Sequence, residues 1–199
     1  DGYGDFTPTH FSEVPYLIRT SMKPDVALIT VSEPDEHGYV SLGLSTDYMM
    51  ESCKLAKTVI AEVNKQCPRL NGDTFLHVTE IQCFVESDRP ITPAPITKIT
   101  EVEKAIGYNC AELIGDGACL QLGLGAIPDA VLGFLEDKKD LGVHSEIIGD
   151  GVKHLCELGV INGSRKELNR GKVVATSLYG TKDLFDYANN NPMFELYPV

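Results

Sequence analysis

Apolar residues occur along this chain in short runs, which alternate with stretches where they recur every three or four positions. Residues 26–31 form a continuous apolar, β-branched run, which is typical of a strand buried on both faces in a parallel sheet. Ser45 marks a helix start, with Met49, Cys53 and Ala56 on one face. The same reasoning predicts further strands at residues 58–63, 75–78, 119–122, 141–147 and 172–178, and further helices beginning near residues 100, 126, 149 and 181.

Two of these helices carry distinctive start signals. Thr100 and Glu103 have the spacing of a capping box. Pro128 lies in the first helical turn, where its missing N–H costs nothing. Apolar spacing predicts the core-facing residues of both helices. They are Val102, Ile106, Cys110 and Leu113 in the first, and Val131, Phe134 and Leu135 in the second.

The alternation of strands and helices predicts an α/β fold with open, mainly parallel sheets and right-handed crossovers. Residues 87–95 contain three prolines, so this stretch is expected to be extended and to contain no helix. We place a connector at residues 89–99, between α/β domains at 1–88 and 100–199. The chain lacks an initiating Met and ends in an apolar stretch like an unfinished strand, so we expect a piece of a longer protein.

Charge and cysteine usage narrow the function classes. The chain carries 17 Lys and Arg against 29 Asp and Glu, a net charge of -12, which argues against nucleic acid and anionic membranes as partners. No apolar run approaches the roughly 20 residues of a membrane span, so we expect a soluble, cytoplasmic protein. The six cysteines are scattered without a C-x-x-C pair or ligand-like spacing to histidine, which predicts reduced thiols and no metal site.

The candidate chemistry lies at the ends of two predicted strands, where open α/β sheets bind ligands. Gly123 and Gly125 form a turn that opens a helix, where backbone N–H groups can approach an anion. Glu146 lies 21 residues after Gly125, near the end of the next predicted strand. A carboxylate there has three possible roles: nucleophile, general base, or ligand of a ribose.

The ribose role defines an alternative, a nicotinamide-dinucleotide-binding oxidoreductase. A G-x-G turn followed by an acid about 20 residues later outlines the dinucleotide-binding fingerprint. The fit fails because Pro128 occupies the place of the third glycine, and because the strand carrying Glu146 is followed by a second glycine pair.

Residues 121–131 and 137–146 together closely resemble the acetyl-CoA hydrolase/transferase family, and within it the short-chain CoA-transferases. Shorter segments extend the resemblance along the whole chain: residues 11–15, 34–38, 61–64, 72–75 and 180–182. The resemblance implies two open, mainly parallel-sheet α/β domains of the CoA-transferase type, each only partly covered by this chain. The resemblance also implies that the opening strands of the first domain and a late Gly-rich loop of the second domain lie outside this chain.

The resemblance also assigns roles to residues. It implies that Glu146 is the nucleophile and that the turn contacts CoA through Gly123, Leu124, Gly125, Ala126 and Ile127. His144 shares a strand face with Glu146, and His37 lies in a loop at a strand end, so both are candidates for the acyl pocket. Ser145 faces the other way and is expected to be structural.

The implied reaction moves CoA from a short-chain acyl-CoA to a carboxylate such as acetate, butyrate or 4-hydroxybutyrate. It would proceed by ping-pong kinetics through a glutamyl-CoA thioester, with coenzyme A as a substrate and no cofactor or metal. The expected assembly is a homo-oligomer, a dimer, without nucleic acid or membrane. An acyl-CoA hydrolase using the same glutamate, and an inactive module of a larger assembly, stay open as alternatives.

Overall fold

The computed structural model describes residue 2, residues 4–95 and residues 98–199. Within these residues, the predicted strands and helices follow in the predicted order, with one additional helix near the start of the chain and several additional strands. The helices are α1 (Val14–Thr20), α2 (Met49–Leu55), α3 (Glu101–Ala111), α4 (Ala126–Leu132), α5 (Asp150–Glu157) and α6 (Lys182–Ala188). The strands are β1 (Val26–Val31), β2 (Tyr39–Ser41), β3 (Thr58–Asn64), β4 (Asn71–Gly72), β5 (Phe75–His77), β6 (Cys83–Ser87), β7 (Cys119–Leu120), β8 (Gly142–His144), β9 (Ile147–Ile148), β10 (Val173–Ala175), β11 (Ser177–Leu178) and β12 (Phe194–Leu196).

The first sheet has the order β1-β3-β6, and both pairings are parallel. Its core face carries alternate residues of β1, including Ala27, Ile29 and Val31. The opposite face is not covered by the described residues, and Leu28 is 69% exposed there. The expectation that residues 26–31 are buried on both faces is therefore wrong for this structure, because no element among the described residues packs on the second face.

The second sheet has the order β4-β12-β10-β8-β7 and is parallel throughout. Strands β9 and β11 continue the lines of β8 and β10 beyond bends at Glu146 and Thr176, and pair with each other in parallel. Each long strand predicted here, at residues 141–147 and 172–178, is thus two short strands joined at a bend. Mainly parallel α/β sheets are confirmed, with β2 and β5 as an antiparallel pair.

Two hydrophobic cores accompany these sheets. The first surrounds β1 and β3, and the second lies around β8, β10 and β12. Leu70, from the first half of the chain, is fully buried in the second core. Asn71–Gly72 pairs with Glu195 and Leu196 as an edge strand of the second sheet. The division into residues 1–88, 89–99 and 100–199 stays a prediction.

Helix α3 differs from its prediction in which face it buries. Glu103 accepts a hydrogen bond from the Thr100 N–H at 2.7 Å, in agreement with the predicted helix start. The buried residues are Gly107 and Ala111, which belong to the face that packs against α4. The predicted stripe lies on the outside: Val102 and Leu113 are 68% and 87% exposed, Ile106 is exposed and Cys110 is half-buried. The core stripe predicted for this helix is therefore wrong.

Helix α4 is shorter than its apolar spacing suggests, because it ends at Leu132. Leu135 is fully buried as predicted, and Val131 is half-buried. Phe134 is exposed and stacks edge-on against Tyr108 of α3, with ring centroids 5.8 Å apart. In the described part of the chain, no helix combines the length and apolarity needed to cross a bilayer.

Candidate active site

Glu146 lies in the bend between β8 and β9, at the carboxyl end of β8. Its backbone carbonyl accepts hydrogen bonds from the N–H groups of Thr176 at 2.9 Å and Ser177 at 3.1 Å. Its side chain is exposed. The backbone therefore fixes the position of this residue, while the carboxylate is left available for chemistry.

Ser145 connects Glu146 to the glycine turn. Its side chain is buried, and its hydroxyl accepts a hydrogen bond from the Leu122 N–H at 2.9 Å. The same hydroxyl has two acceptors at 3.0 Å, the carbonyls of Leu122 and Ile147, and can donate to one of them at a time. This pairing ties the segment before the glycine turn to the strand that carries Glu146, which agrees with the structural role predicted for Ser145.

Glu146 lines a cleft of about 430 Å³, which lies within the size range of small-molecule sites. His144 lines the same cleft, so the alternation along the strand correctly placed these two residues together. Ser145, between them, also borders the cleft, and the remaining lining residues come from distant parts of the chain. They are His10, Phe11 and Ser12 before α1, Val174, Ala175 and Thr176 at the end of β10, and Tyr197, Pro198 and Val199 after β12.

The glycine turn lines a different cleft, of about 410 Å³. Gly123, Leu124 and Gly125 belong to this lining, whereas Ala126 and Ile127 begin α4 and are not among the lining residues. Gly125 has a φ of 116°, a backbone conformation that requires glycine. The turn and Glu146 thus share one edge of the sheet, because β7 and β8 are parallel neighbours, but they face separate clefts.

The cleft beside the glycine turn is acidic. Asp129, Asp150 and Asp183 line it, and none of the described residues in its lining is Lys or Arg. Burial, together with the nearby charge of Asp150, raises the pKa of Asp129 above its ordinary value. Anion binding here would depend on neutral donors, the backbone N–H groups and the hydroxyl groups of Tyr179 and Thr181. A neutral part of a ligand suits this cleft better than a phosphate does.

Asp150 and Thr181 fix the far wall of this acidic cleft. The Asp150 carboxylate accepts hydrogen bonds from the Thr181 hydroxyl at 2.6 Å and from the Thr181 N–H at 3.0 Å. Gly180 lies so close that a Cβ there would come within 2.7 Å of the Asp150 carboxylate. The wall is therefore held by α5 and the start of α6 together.

His37 lies elsewhere. Its carbonyl is 3.2 Å from Nε2 of His77, and its own Nε2 is 3.5 Å from the Glu36 carboxylate. It is exposed and is not among the residues that line the Glu146 cleft. Among the described residues, His144 is therefore the candidate acyl-pocket histidine that the structure brings to Glu146.

Several residues of the Glu146 cleft were missed by the sequence reasoning, notably Phe11, Thr176 and Tyr197. Phe11 and Tyr197 are separated from Glu146 by more than forty residues. Residues 11–15 belong to a segment that carries the family resemblance, but nothing in the sequence links Phe11 or Tyr197 to Glu146. Thr176 was placed in a predicted strand, but its position beside Glu146 depends on which strands are neighbours.

Free cysteines are distributed between core and surface. Cys53, Cys67 and Cys156 are buried, and burial raises their pKa values to about 11, 12 and 12. Cys83 and Cys119 are exposed. Within residues 4–95 and 98–199, no group of three His, Cys, Asp or Glu side chains has the arrangement of a metal site.

Comparison with known proteins identifies close relatives. Residues 1–95 match the model of the acetyl-CoA hydrolase/transferase N-terminal domain. Over all 199 residues the chain is 56% identical to the 4-hydroxybutyrate coenzyme A transferase of Clostridium kluyveri and covers 46% of that protein. It is 46% identical over 198 residues to the succinyl-CoA:cyclohexane-1-carboxylate CoA transferase of Geobacter metallireducens and covers 45% of it. The chain thus spans about half the length of the curated relatives it matches.

Two solved structures have a fold that closely matches that of this chain. The crystal structure of 4-hydroxybutyrate CoA-transferase from Porphyromonas gingivalis matches with a TM-score of 0.92 and 47% identity. That match covers 96% of this chain and 49% of the other. RipA from Yersinia pestis matches with a TM-score of 0.94 and 36% identity, over 97% of this chain and 45% of the other.

Proposed function

The chain belongs to the acetyl-CoA hydrolase/transferase family, and from this premise we propose that the protein is a CoA-transferase in which Glu146 is the nucleophile. The observation that supports this role most directly is the position and the exposure of Glu146 itself. Its backbone is fixed at the carboxyl end of β8, and its exposed carboxylate lines a cleft of about 430 Å³. A carboxylate held in this way is suited to covalent catalysis.

In the first half-reaction, a Glu146 carboxylate oxygen attacks the thioester carbonyl carbon of acyl-CoA. The C–S bond breaks, giving an acyl-glutamyl anhydride and the CoA thiolate. The thiolate then attacks the glutamyl carbonyl carbon and expels the first carboxylate, leaving a γ-glutamyl-CoA thioester. Each attack builds an oxyanion, and a well-placed donor to such an oxyanion is worth about 3 kcal/mol.

The second half-reaction reverses these bonds with a new acid. The incoming carboxylate attacks the glutamyl thioester carbonyl and displaces the CoA thiolate. The thiolate attacks the acyl carbonyl of the new anhydride, which releases the new acyl-CoA and restores the Glu146 carboxylate. Because the enzyme's own carboxylate carries each intermediate, the reaction needs no cofactor besides coenzyme A as a substrate.

We assign short-chain carboxylates to the Glu146 cleft, with 4-hydroxybutyrate as the first candidate, since the relative at 56% identity is named for that acid. The cleft combines apolar residues, such as Phe11 and Val174, with polar residues, such as Ser12 and His144. This mixture suits a short aliphatic chain that ends in a polar group. Acetate and butyrate are the competing acids, and direct comparison of their kcat/KM values decides between them.

The glycine turn is the proposed contact for CoA through Gly123, Leu124, Gly125, Ala126 and Ile127. Since Asp129, Asp150 and Asp183 line the same cleft, the part of CoA placed there is the neutral pantetheine arm rather than the phosphates. The phosphate groups then need cationic partners away from this cleft. We further propose a homodimer in the cytoplasm, to be checked by light scattering and by localisation of a tagged protein.

A borohydride trapping experiment tests the nucleophile. The full-length protein is incubated with acyl-CoA, reduced with borohydride, digested and analysed by mass spectrometry. We expect Glu146 to be reduced to the corresponding alcohol, with no such product in Glu146→Gln. Glu167→Gln is the matched control, because Glu167 is also an exposed carboxylate but does not line this cleft; it should be trapped like the wild type.

The hydrolase alternative has one observation in its favour, the exposure of Glu146 to solvent in the described residues. Water reaching the anhydride would give hydrolysis in place of transfer. Trapping at Glu146 with CoA passed to added carboxylate supports the transferase. Acyl-CoA consumption that is independent of added carboxylate supports the hydrolase. If Glu146 is not trapped and acyl-CoA is not consumed, the proposed function is wrong.

A further inference from the structure

Thr176 lies directly beside Glu146 in the sheet. His144 pairs with Val174 and Ile147 pairs with Ser177, so the register between these pairs places Glu146 opposite Thr176. Both strands bend at this level, and the Thr176 N–H donates to the Glu146 carbonyl at 2.9 Å. Thr176 lines the same cleft as Glu146. Neighbouring strands are about 4.8 Å apart, so the two side chains are within reach of each other.

The Thr176 hydroxyl is also unusual in its own surroundings. The residue is 6% exposed, and its Oγ1 has no hydrogen-bond partner among the described residues. A buried polar group without a partner destabilises a fold, so it is rare in native proteins and calls for an explanation. Val has nearly the same shape as Thr without the hydroxyl, so nothing in the packing requires this polar atom.

We propose that Thr176 is a positioning residue for the Glu146 nucleophile, an inference that rests on the proposed function. Rotation about χ1 to another staggered position moves the Thr176 hydroxyl, and in the proposed orientation it faces the cleft. There it donates a hydrogen bond to one oxygen of the Glu146 carboxylate. The other oxygen is then aimed at the substrate carbonyl. The destabilising hydroxyl is kept because it orients the nucleophile during turnover.

Thr46 provides a control within the same protein. It is fully buried, its Oγ1 likewise has no partner among the described residues, and its N–H donates to the Thr176 carbonyl at 2.9 Å. It is not among the residues that line the Glu146 cleft. Thr46 and Thr176 therefore share the same kind of burial and the same missing partner, and differ in access to the nucleophile.

The test compares Thr176→Val, Thr176→Ser and Thr46→Val in the full-length protein, measuring Tm, kcat and KM. Both Val variants should raise Tm, since each removes a buried hydroxyl without a partner. Thr176→Val should lower kcat by about tenfold to a hundredfold, the effect of losing one hydrogen bond to a charged group, with KM for acyl-CoA changed by less than about twofold. Thr176→Ser should restore most of the lost kcat, and Thr46→Val should leave kcat unchanged.

Three results would overturn the inference. A Thr176→Val protein with raised Tm and unchanged kcat would mean that the hydroxyl has no role in turnover. A loss of kcat that Ser does not restore would indicate an effect of side-chain shape. An equal loss of kcat in Thr46→Val would indicate a general disturbance of the packing around these two threonines. If Thr176→Val folds poorly, the kcat values of Thr176→Ala and Thr176→Ser are compared instead. These two variants also differ by the hydroxyl.

The trapping experiment separates this inference from the proposed function. If wild-type Glu146 is not trapped, the proposed function fails and the role of Thr176 fails with it. If wild-type Glu146 is trapped and Thr176→Val is trapped at the same rate, the proposed function stands and the inference about Thr176 alone is wrong.

Discussion

At Glu146, the residue that is proposed to react makes little contribution to the fold. Its carbonyl satisfies two backbone donors, and its side chain is exposed. Surface substitutions of this kind usually change stability by less than about 0.5 kcal/mol. Glu146→Gln is therefore expected to unfold at nearly the wild-type Tm, so its loss of activity reports on chemistry rather than on misfolding.

Asp129 is a residue whose charge opposes folding. Burial and the charge of Asp150 raise its pKa in the folded protein, so the folded state holds the proton more tightly than the unfolded state does. Below the unfolded-state pKa of about 3.9, both states are protonated and Asp129 has no effect. As pH rises through the folded-state pKa, ionisation of Asp129 increasingly destabilises the fold.

Asp129→Asn should therefore raise Tm at pH 7 and leave Tm unchanged below about pH 4. Thermal unfolding followed by circular dichroism at a series of pH values measures this. Asp137→Asn is the matched control, since Asp137 is exposed in the neighbouring turn, and it should show no pH-dependent gain. A gain for Asp129→Asn that is equal at both pH values would contradict the electrostatic explanation.

Part of the site could be predicted from single residues. Strand alternation placed His144 and Glu146 together, and both line one cleft. Ser145 also borders that cleft, but its hydroxyl is bonded to Leu122 on the neighbouring segment. The position of Thr176 could not be predicted, because the sequence does not state which strand lies beside β8. His37 was a candidate that the structure does not bring to Glu146. A loop at a strand end need not lie at the same sheet edge as the reactive residue.

At the scale of elements, α3 shows why apolar spacing can indicate the wrong face. The stripe of Val102, Ile106, Cys110 and Leu113 has good helical spacing, but it is turned outward. The opposite side carries Gly107 and Ala111, whose small side chains let α3 approach α4 closely. A hydrophobicity pattern weights large side chains and so overlooks a contact made by small ones.

The close approach of α3 and α4 leads to a prediction at Gly107. A Cβ there would lie 2.7 Å from the Ala130 carbonyl carbon and 2.9 Å from its Cβ. Gly107→Ala should therefore destabilise the protein by about 1–3 kcal/mol through overpacking, although Ala is the better helix former by about 1 kcal/mol. Chemical denaturation measures the change.

Asn109→Ala is the control for helix propensity, since Asn109 is exposed on the same helix. It should be neutral or slightly stabilising. If Gly107→Ala were as stable as Asn109→Ala, the packing of α3 on α4 described above would be wrong.

At the scale of the whole molecule, the two halves of the sequence are joined by more than the proline-rich stretch. The Leu70 backbone exchanges hydrogen bonds of 3.2 Å with the Ser41 hydroxyl, while its side chain lies in the second core. The Leu178 N–H donates to the Leu44 carbonyl at 2.8 Å. The composition shift at residues 87–95 indicated a boundary, but these links join residues far apart in sequence and carry no local signal.

Leu70→Ala tests how the first half of the chain supports the second core. Removing this fully buried side chain should cost about 2–5 kcal/mol. Hydrogen–deuterium exchange should accelerate mainly in β8, β10 and β12. Ile29→Ala is the counterpart in the first core, where the acceleration should be in β1 and β3. Identical exchange patterns for the two variants would contradict the presence of two distinct cores.

The acidic lining of the glycine-turn cleft has a consequence for the speed at which substrate arrives. The proposed substrate, acyl-CoA, is an anion, and the carboxylates of Asp129, Asp150 and Asp183 are expected to repel it during approach. Raising the ionic strength from about 0.01 M to about 0.15 M shortens the Debye length from roughly 30 Å to roughly 8 Å. We expect kcat/KM to increase with added salt while kcat stays constant, whereas a decrease would mean that cationic groups steer the substrate. Encounter with acyl-CoA should then be faster at cellular ionic strength than in dilute buffer.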